Sequence, residues 1–127
     1  MRLSDSSRDS SPNTRFPAVR LLFVCSRNRL RSPTAERIFS GHCGWETASA
    51  GLAPDAETPL DTETLDWADV VFVMEKRHQR KLQERFSKSL RDKRVVCLGI
   101  PDDFEYMDPE LVSILREKVP RLLGAAP

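Results

Sequence analysis

VRLLFVCSRNRLRSPTAERIF, residues 19–39, is the stretch on which the fold turns. Val19 to Cys25 form a short, largely apolar run, the pattern of a strand covered on both faces. Ser32-Pro33 then opens a helix: serine suits an N-cap, and proline suits the first turn, where its missing N–H costs nothing. Ala35, Ile38 and Phe39 supply that helix with an inward stripe. A polar loop of mostly arginine, asparagine and serine joins the two. Strand, loop and helix in this order make the first half of a βα unit.

The rest of the chain repeats the alternation. Residues 46–51 (ETASAG) predict a second strand closed by glycine, and residues 58–67 a short acidic helix. Residues 69–74 (DVVFVM) read as another buried strand, followed by a very basic helix from Glu75 to about Phe86. Residues 94–98 (RVVCL) predict a fourth strand. Asp108-Pro109 caps a last helix with Leu111, Leu115, Val119 and Leu122 at near-helical spacing, which Pro120 is expected to kink or end early. Four strands alternating with four helical segments imply an α/β fold: a three-layer sandwich with a four-stranded parallel sheet, helices on both faces and right-handed crossovers. Ligands in such folds sit beyond the carboxyl ends of the strands. That directs attention to Cys25, where the first strand ends, and to Gly99-Ile100-Pro101-Asp102, after the fourth. Residues 1–17 mix serine, arginine and aspartate with almost nothing apolar and read as a flexible extension; residues 18–127 read as one domain.

Composition narrows the class. The chain has 127 residues, with 20 basic and 19 acidic side chains and a formal net charge of +1, which argues against a wholesale nucleic-acid coat or a polybasic membrane binder. Apolar runs of about five residues fall well short of the roughly 20 a bilayer span needs and the 7–15 of a signal-peptide core. Three scattered cysteines without a CxxC pair argue against a disulfide scaffold or a cysteine-rich zinc site. A cytoplasmic protein without metal or cofactor is the expectation. The net charge hides a cancellation. Residues 20–38 hold five arginines and one glutamate, residues 46–69 seven acidic and no basic side chains, and residues 75–94 nine basic and three acidic.

The loop carries the chemistry. Cys25 is followed by five residues, then Arg31, then Ser32. A loop of that length between strand and helix wraps its backbone N–H groups toward one point, and the helix dipole adds positive potential there. Arg31 is able to grip a phosphate through two parallel N–H donors. The same field favours a thiolate at the strand end. Nucleophile, anion cradle and clamp therefore converge.

At these residues the sequence resembles the low-molecular-weight protein tyrosine phosphatases. LLFVCSRNRLRSPTAERIF is similar to that family's opening strand, phosphate loop and first helix, and ETASAG, ADVVFVMEKRH and IPDDF follow in the family's order. The resemblance covers roughly residues 19–124. It implies a cysteine-dependent phosphomonoester hydrolase in which Cys25 takes the phosphoryl group and Arg31 holds it. Asn28 matches the asparagine that props the loop, and Ser32 the hydroxyl that stabilises the thiolate. Ser26, Arg27, Arg29 and Leu30 complete the loop that binds substrate. The general acid is expected at Asp102, with Asp103 and Asp108 as alternatives, because Ile-Pro-Asp-Asp-Phe aligns best while Asp108-Pro109 keeps the family's Asp-Pro pair literally.

Departures from the pattern bear on the substrate. Arg27 replaces a usual glycine and Arg29 an apolar residue. Leu30 stands where the family often carries a second, protective cysteine, and the stretch after Gly51 is short, so one wall of the pocket is expected to be missing. The aromatic residues that would grip a phosphotyrosine ring reduce to Phe104 and Tyr106. The expected partner is a phosphorylated protein or a small anionic phosphoester, with a phosphorylated nucleic-acid end as a further candidate. His42 and His78 read as surface residues, Cys43 and Cys97 as packing residues, and Trp45 and Trp67 as core. Two other readings compete: an arsenate reductase, which would need Cys43 or Cys97 to resolve a disulfide, and a phosphate- or RNA-binding module without turnover.

Overall fold

The structure of the protein is a computed structural model that describes residues 19–41, 44–91 and 93–123. The predicted N-terminal extension, His42 and Cys43 lie outside the described residues.

Strand β1 (Arg20–Cys25) is buried from Leu21 onward. Because strand side chains alternate between faces, Leu21, Phe23 and Cys25 join one core cluster while Leu22 and Val24 join another. β1 pairs in parallel with β2 (Glu46–Gly51) on one side and β3 (Val70–Val73) on the other. β4 (Arg94–Cys97) pairs in parallel with β3, giving the order β2-β1-β3-β4. From Leu21 onward in β1 and throughout β3 the central strands are apolar because both their faces are covered.

Helices α1 (Arg31–Phe39) and α4 (Pro109–Leu123) supply Ala35, Phe39, Leu111, Leu115 and Val119 to one core. Phe23 stacks between Phe39 and Phe72 there, at centroid distances of 6.0 and 5.3 Å. Helices α2 (Thr62–Trp67) and α3 (Lys76–Phe86) supply Leu65 and Leu82 to the other. The three-layer α/β sandwich is thus as expected. Trp45 and Trp67 are partly buried against the two cores.

Local expectations fared unevenly. Ser32 is not the N-cap of α1; that place falls to Leu30, whose side chain makes no cap bond. Ser32 lies inside the first turn because its hydroxyl is committed elsewhere, as shown below. The second helix begins only at Thr62, where Asp61 accepts the Thr64 N–H at 2.8 Å. The residues before it form bends and turns, with Pro59 bridged to Gly51 at the end of β2. Pro120 does not end α4 early. Val119 is fully buried, and Arg94 donates to the carbonyls of Leu122 and Leu123, which have no partner within the helix.

Candidate active site

The loop from Cys25 to Arg31 turns over the carboxyl end of β1. Its shape follows from where its carbonyls go. Those of Cys25, Ser26 and Arg27 accept the N–H groups of Leu52, Ala53 and Glu57 at 2.9, 2.8 and 3.1 Å. A trans peptide places C=O and N–H on opposite sides. With these carbonyls turned toward the turn segment that follows β2, the following amides face the opposite way, into a cup. Gly51 makes the approach possible: a Cβ there would lie 2.7 Å from the Ser26 carbonyl oxygen and 2.5 Å from the Ala56 Cβ. Asn28 adopts a left-handed φ of 58°, a conformation asparagine tolerates better than most residues.

Cys25 Sγ sits at the floor of this cup. The Asn28 N–H donates to it at 3.2 Å, and Ser32 Oγ lies 3.0 Å away. Asn28 Nδ2 donates to Ser32 Oγ at 3.1 Å. With that oxygen accepting from Asn28, the Ser32 proton is available to the sulfur. The hydroxyl expected to cap a helix is therefore spent on the cysteine.

Arg31 is 3% exposed, which for a guanidinium requires partners. Its Nη1 donates to the Ile100 carbonyl at 2.7 Å and lies 3.3 Å from Glu75 Oε1. Its Nε is 3.7 Å from Asp102 Oδ1. The loop bearing Asp102 is also tied to α1, since Met107 N–H donates to Thr34 Oγ1 at 2.9 Å. Cys25, Ser26, Arg27, Arg29, Leu30, Arg31 and Asp102 thus line a single cavity of about 470 Å³, together with Ala53 and Arg77. Asn28 and Ser32 stand behind its floor. Of the alternative acids, Asp103 is absent from the lining, and Asp108 accepts the Glu110 N–H at 2.8 Å at the start of α4.

Phe104 and Tyr106 do not join the cavity. Phe104 packs against the α1–α4 core, and Tyr106 lines a separate groove with Pro33, Glu36, Arg37 and Ser40. The mouth is polar instead, with Arg27 paired to Asp55 at 2.9 Å and Arg29 3.8 Å from Glu57.

Two residues of the site escaped the sequence reading. Glu75, the N-cap of α3, accepts from Arg77 Nε at 2.9 Å while facing Arg31. Burial pushes its carboxyl upward, but the guanidiniums of Arg77 and Arg31 outweigh that and hold it below the usual carboxylate range. His78, expected at the surface, is only 1% exposed. Its Nδ1 accepts the Glu75 N–H at 3.1 Å, and its Nε2 lies 3.1 Å from Ser26 Oγ. Burial first, then the charges of Arg31 and Arg77, lower its pKa to about 4, so the ring is neutral at neutral pH. The available signal was positional: Glu75-x-x-His78 follows the carboxyl end of a strand that proves to be β1's neighbour.

His78 makes stability pH-dependent. A histidine whose folded pKa lies below its ordinary 6.5 binds its proton more readily when unfolded, so stability falls as pH drops from 6.5 toward 4. The loss by pH 5 is expected to be on the order of 2 kcal/mol. Urea unfolding at pH 7 and pH 5 should show it in the wild type and not in His78→Gln; parallel losses would contradict it.

The fold and the loop together place the chain in a definite structural class: it has the fold of the low-molecular-weight protein tyrosine phosphatases. Among solved structures, it matches the YwlE arginine phosphatase from Geobacillus stearothermophilus with a TM-score of 0.66 at 24% identity, over 84% of this chain and 94% of that one. The low-molecular-weight protein tyrosine phosphatase SP-PTP from Streptococcus pyogenes matches with a TM-score of 0.68 at 16% identity, over 86% and 93% of the chains. The tyrosine phosphatase Wzb from Escherichia coli, solved with phosphate, matches with a TM-score of 0.65 at 18% identity, over 85% and 98%. No protein-family profile and no curated protein sequence matches the chain. Among the described residues no helix is long and apolar enough to cross a membrane, and no group of three or more His, Cys, Asp or Glu side chains is placed to hold a metal ion.

Proposed function

We propose that the protein is a phosphomonoester hydrolase working through a cysteinyl-phosphate on Cys25. The observation that carries this reading is the convergence at one cavity of a hydrogen-bonded sulfur, a buried guanidinium and an exposed carboxylate. The Cys25 thiolate attacks phosphorus, forming the S–P bond as the ester P–O bond breaks, and Asp102 gives its proton to the departing oxygen. Water then attacks the same phosphorus and loses a proton to Asp102. The S–P bond breaks, returning the thiolate and releasing inorganic phosphate. Arg31 and the loop amides stabilise the charge spread over the equatorial oxygens in both steps.

The mouth favours an anionic phosphoester over an aromatic one. Among the described residues four arginines and no aromatic side chain line the cavity. Among the described residues Glu75 is the close carboxylate of Arg77, and it is shared with Arg31. A substrate with a second negative group beside the scissile phosphate fits that mouth best. The supporting result is vanadate-sensitive release of p-nitrophenol from p-nitrophenyl phosphate, with higher kcat/KM for a small bisphosphate than for phosphotyrosine. No vanadate-sensitive release would overturn the hydrolase reading, and a preference for phosphotyrosine would overturn the substrate class.

The arsenate-reductase reading meets a geometric obstacle. Cys97 is two strands away from β1, so about 9–10 Å across the sheet, and it packs on the opposite core from Cys25. A disulfide needs Cα atoms within about 7 Å.

A further inference from the structure

We propose that His78 is a positioning residue for the phosphate-binding cup, acting through the hydroxyl of Ser26. Two hydrogen bonds settle the ring's tautomer. The Glu75 amide has a proton to give and meets Nδ1, so Nδ1 carries the lone pair and the proton resides on Nε2. Nε2–H therefore donates to Ser26 Oγ, 3.1 Å away. That bond occupies one of the hydroxyl's acceptor lone pairs and leaves its own proton to be given elsewhere. Ser26 lines the same cavity as Cys25 and Arg31, so a phosphoryl oxygen held there takes that proton. His78 thus converts a freely rotating hydroxyl into a directed donor to the bound anion.

Burial makes the arrangement rigid. The ring is fixed at the third residue of α3, reaching back to the N-cap amide as in a capping box. A neutral ring is required, because a proton on Nδ1 would confront the Glu75 N–H and turn the Glu75 amide away. The lowered pKa of the ring suits that requirement. The contact spans 52 positions of sequence and joins the helix after β3 to the loop after β1.

The inference rests on the cup being an anion site, so its test reads binding and turnover separately. Inorganic phosphate is titrated calorimetrically into the protein and its variants, and p-nitrophenyl phosphate hydrolysis is measured beside it. Ser26→Ala is expected to weaken phosphate binding and lower kcat/KM about tenfold, the loss of one hydroxyl donor to a charged acceptor. His78→Phe, which keeps the volume, is expected to match that loss in the wild type and to add nothing in the Ser26→Ala background. His78→Gln, whose amide nitrogen reaches as far along the side chain, should restore most of it. Unchanged phosphate affinity in Ser26→Ala would overturn the proposal even if His78→Phe failed to fold. Equal losses from His78→Phe in both backgrounds would overturn it as well, by showing a merely structural role. Absence of phosphate binding by the wild type would remove the cup and the proposal together. Coupled phosphate binding without hydrolysis would uphold His78 and sink only the hydrolase reading.

Discussion

Replacing Cys25 by serine is expected to lower turnover of p-nitrophenyl phosphate roughly 10⁴–10⁶-fold, the scale on which removal of a covalent nucleophile acts. Sulfur at this position receives the Asn28 N–H and lies beside the Ser32 hydroxyl. Two donors and the N-terminus of α1 direct positive potential at the sulfur. The same donors are far too weak to ionise a serine hydroxyl, whose oxygen also sits closer to the backbone than sulfur does. The exchange is nearly isosteric at a buried site, so the variant should keep its fold and its affinity for inorganic phosphate. Steady-state kinetics with phosphate titration would read both quantities. Undiminished turnover by Cys25→Ser would remove the cysteinyl-phosphate from the mechanism.

Asp102→Asn is the second large effect, expected to reduce kcat about 10²–10⁴-fold, as loss of a positioned general acid does. Asp102 lines the cavity above Cys25 and is 61% exposed, with Arg31 Nε 3.7 Å from its carboxylate. The Asp102 carboxylate is mostly solvated, and buried Arg31 keeps the Ile100 carbonyl and Glu75 as partners, so asparagine should leave the melting temperature nearly unchanged. The defect should grow with leaving groups of higher pKa, because these depend most on protonation. Asp108→Asn offers the contrast. Its carboxylate accepts the Glu110 N–H at the head of α4, and asparagine caps as well as aspartate, so activity should stay near wild type. A large defect in Asp108→Asn with a small one in Asp102→Asn would transfer the role.

Much of this was legible before any contact was known. The expected strands match the observed ones to within a residue at either end; for β1 and β3 the reason is that a strand covered on both faces has no polar alternation to blur it. The cysteine, arginine and serine at their offsets named the loop, since all three belong to one local turn. Legibility failed where a side chain's use depends on distant chain. Ser32 looked like a helix cap, and it would be one were Cys25 Sγ not 3.0 Å away. His78 looked solvated amid lysines and arginines, because its own helix says nothing about the loop from β1 that covers it. Phe104 and Tyr106 are near Asp102 in sequence, but the loop aims one into the core and the other across α1.

Local sequence was enough to set the succession of strands and helices, the parallel three-layer class, and the loop that cups Cys25. These rest on short-range periodicity and turn chemistry. Long-range packing was needed to put Asp102, of three aspartates, on the lining shared with Cys25 and to set Glu75 beside Arg31. It alone also decided that a histidine 52 positions away presses on Ser26. The physical reason is the sheet order: placing β3 beside β1 brings the head of α3 against the phosphate loop, a juxtaposition that no local pattern encodes.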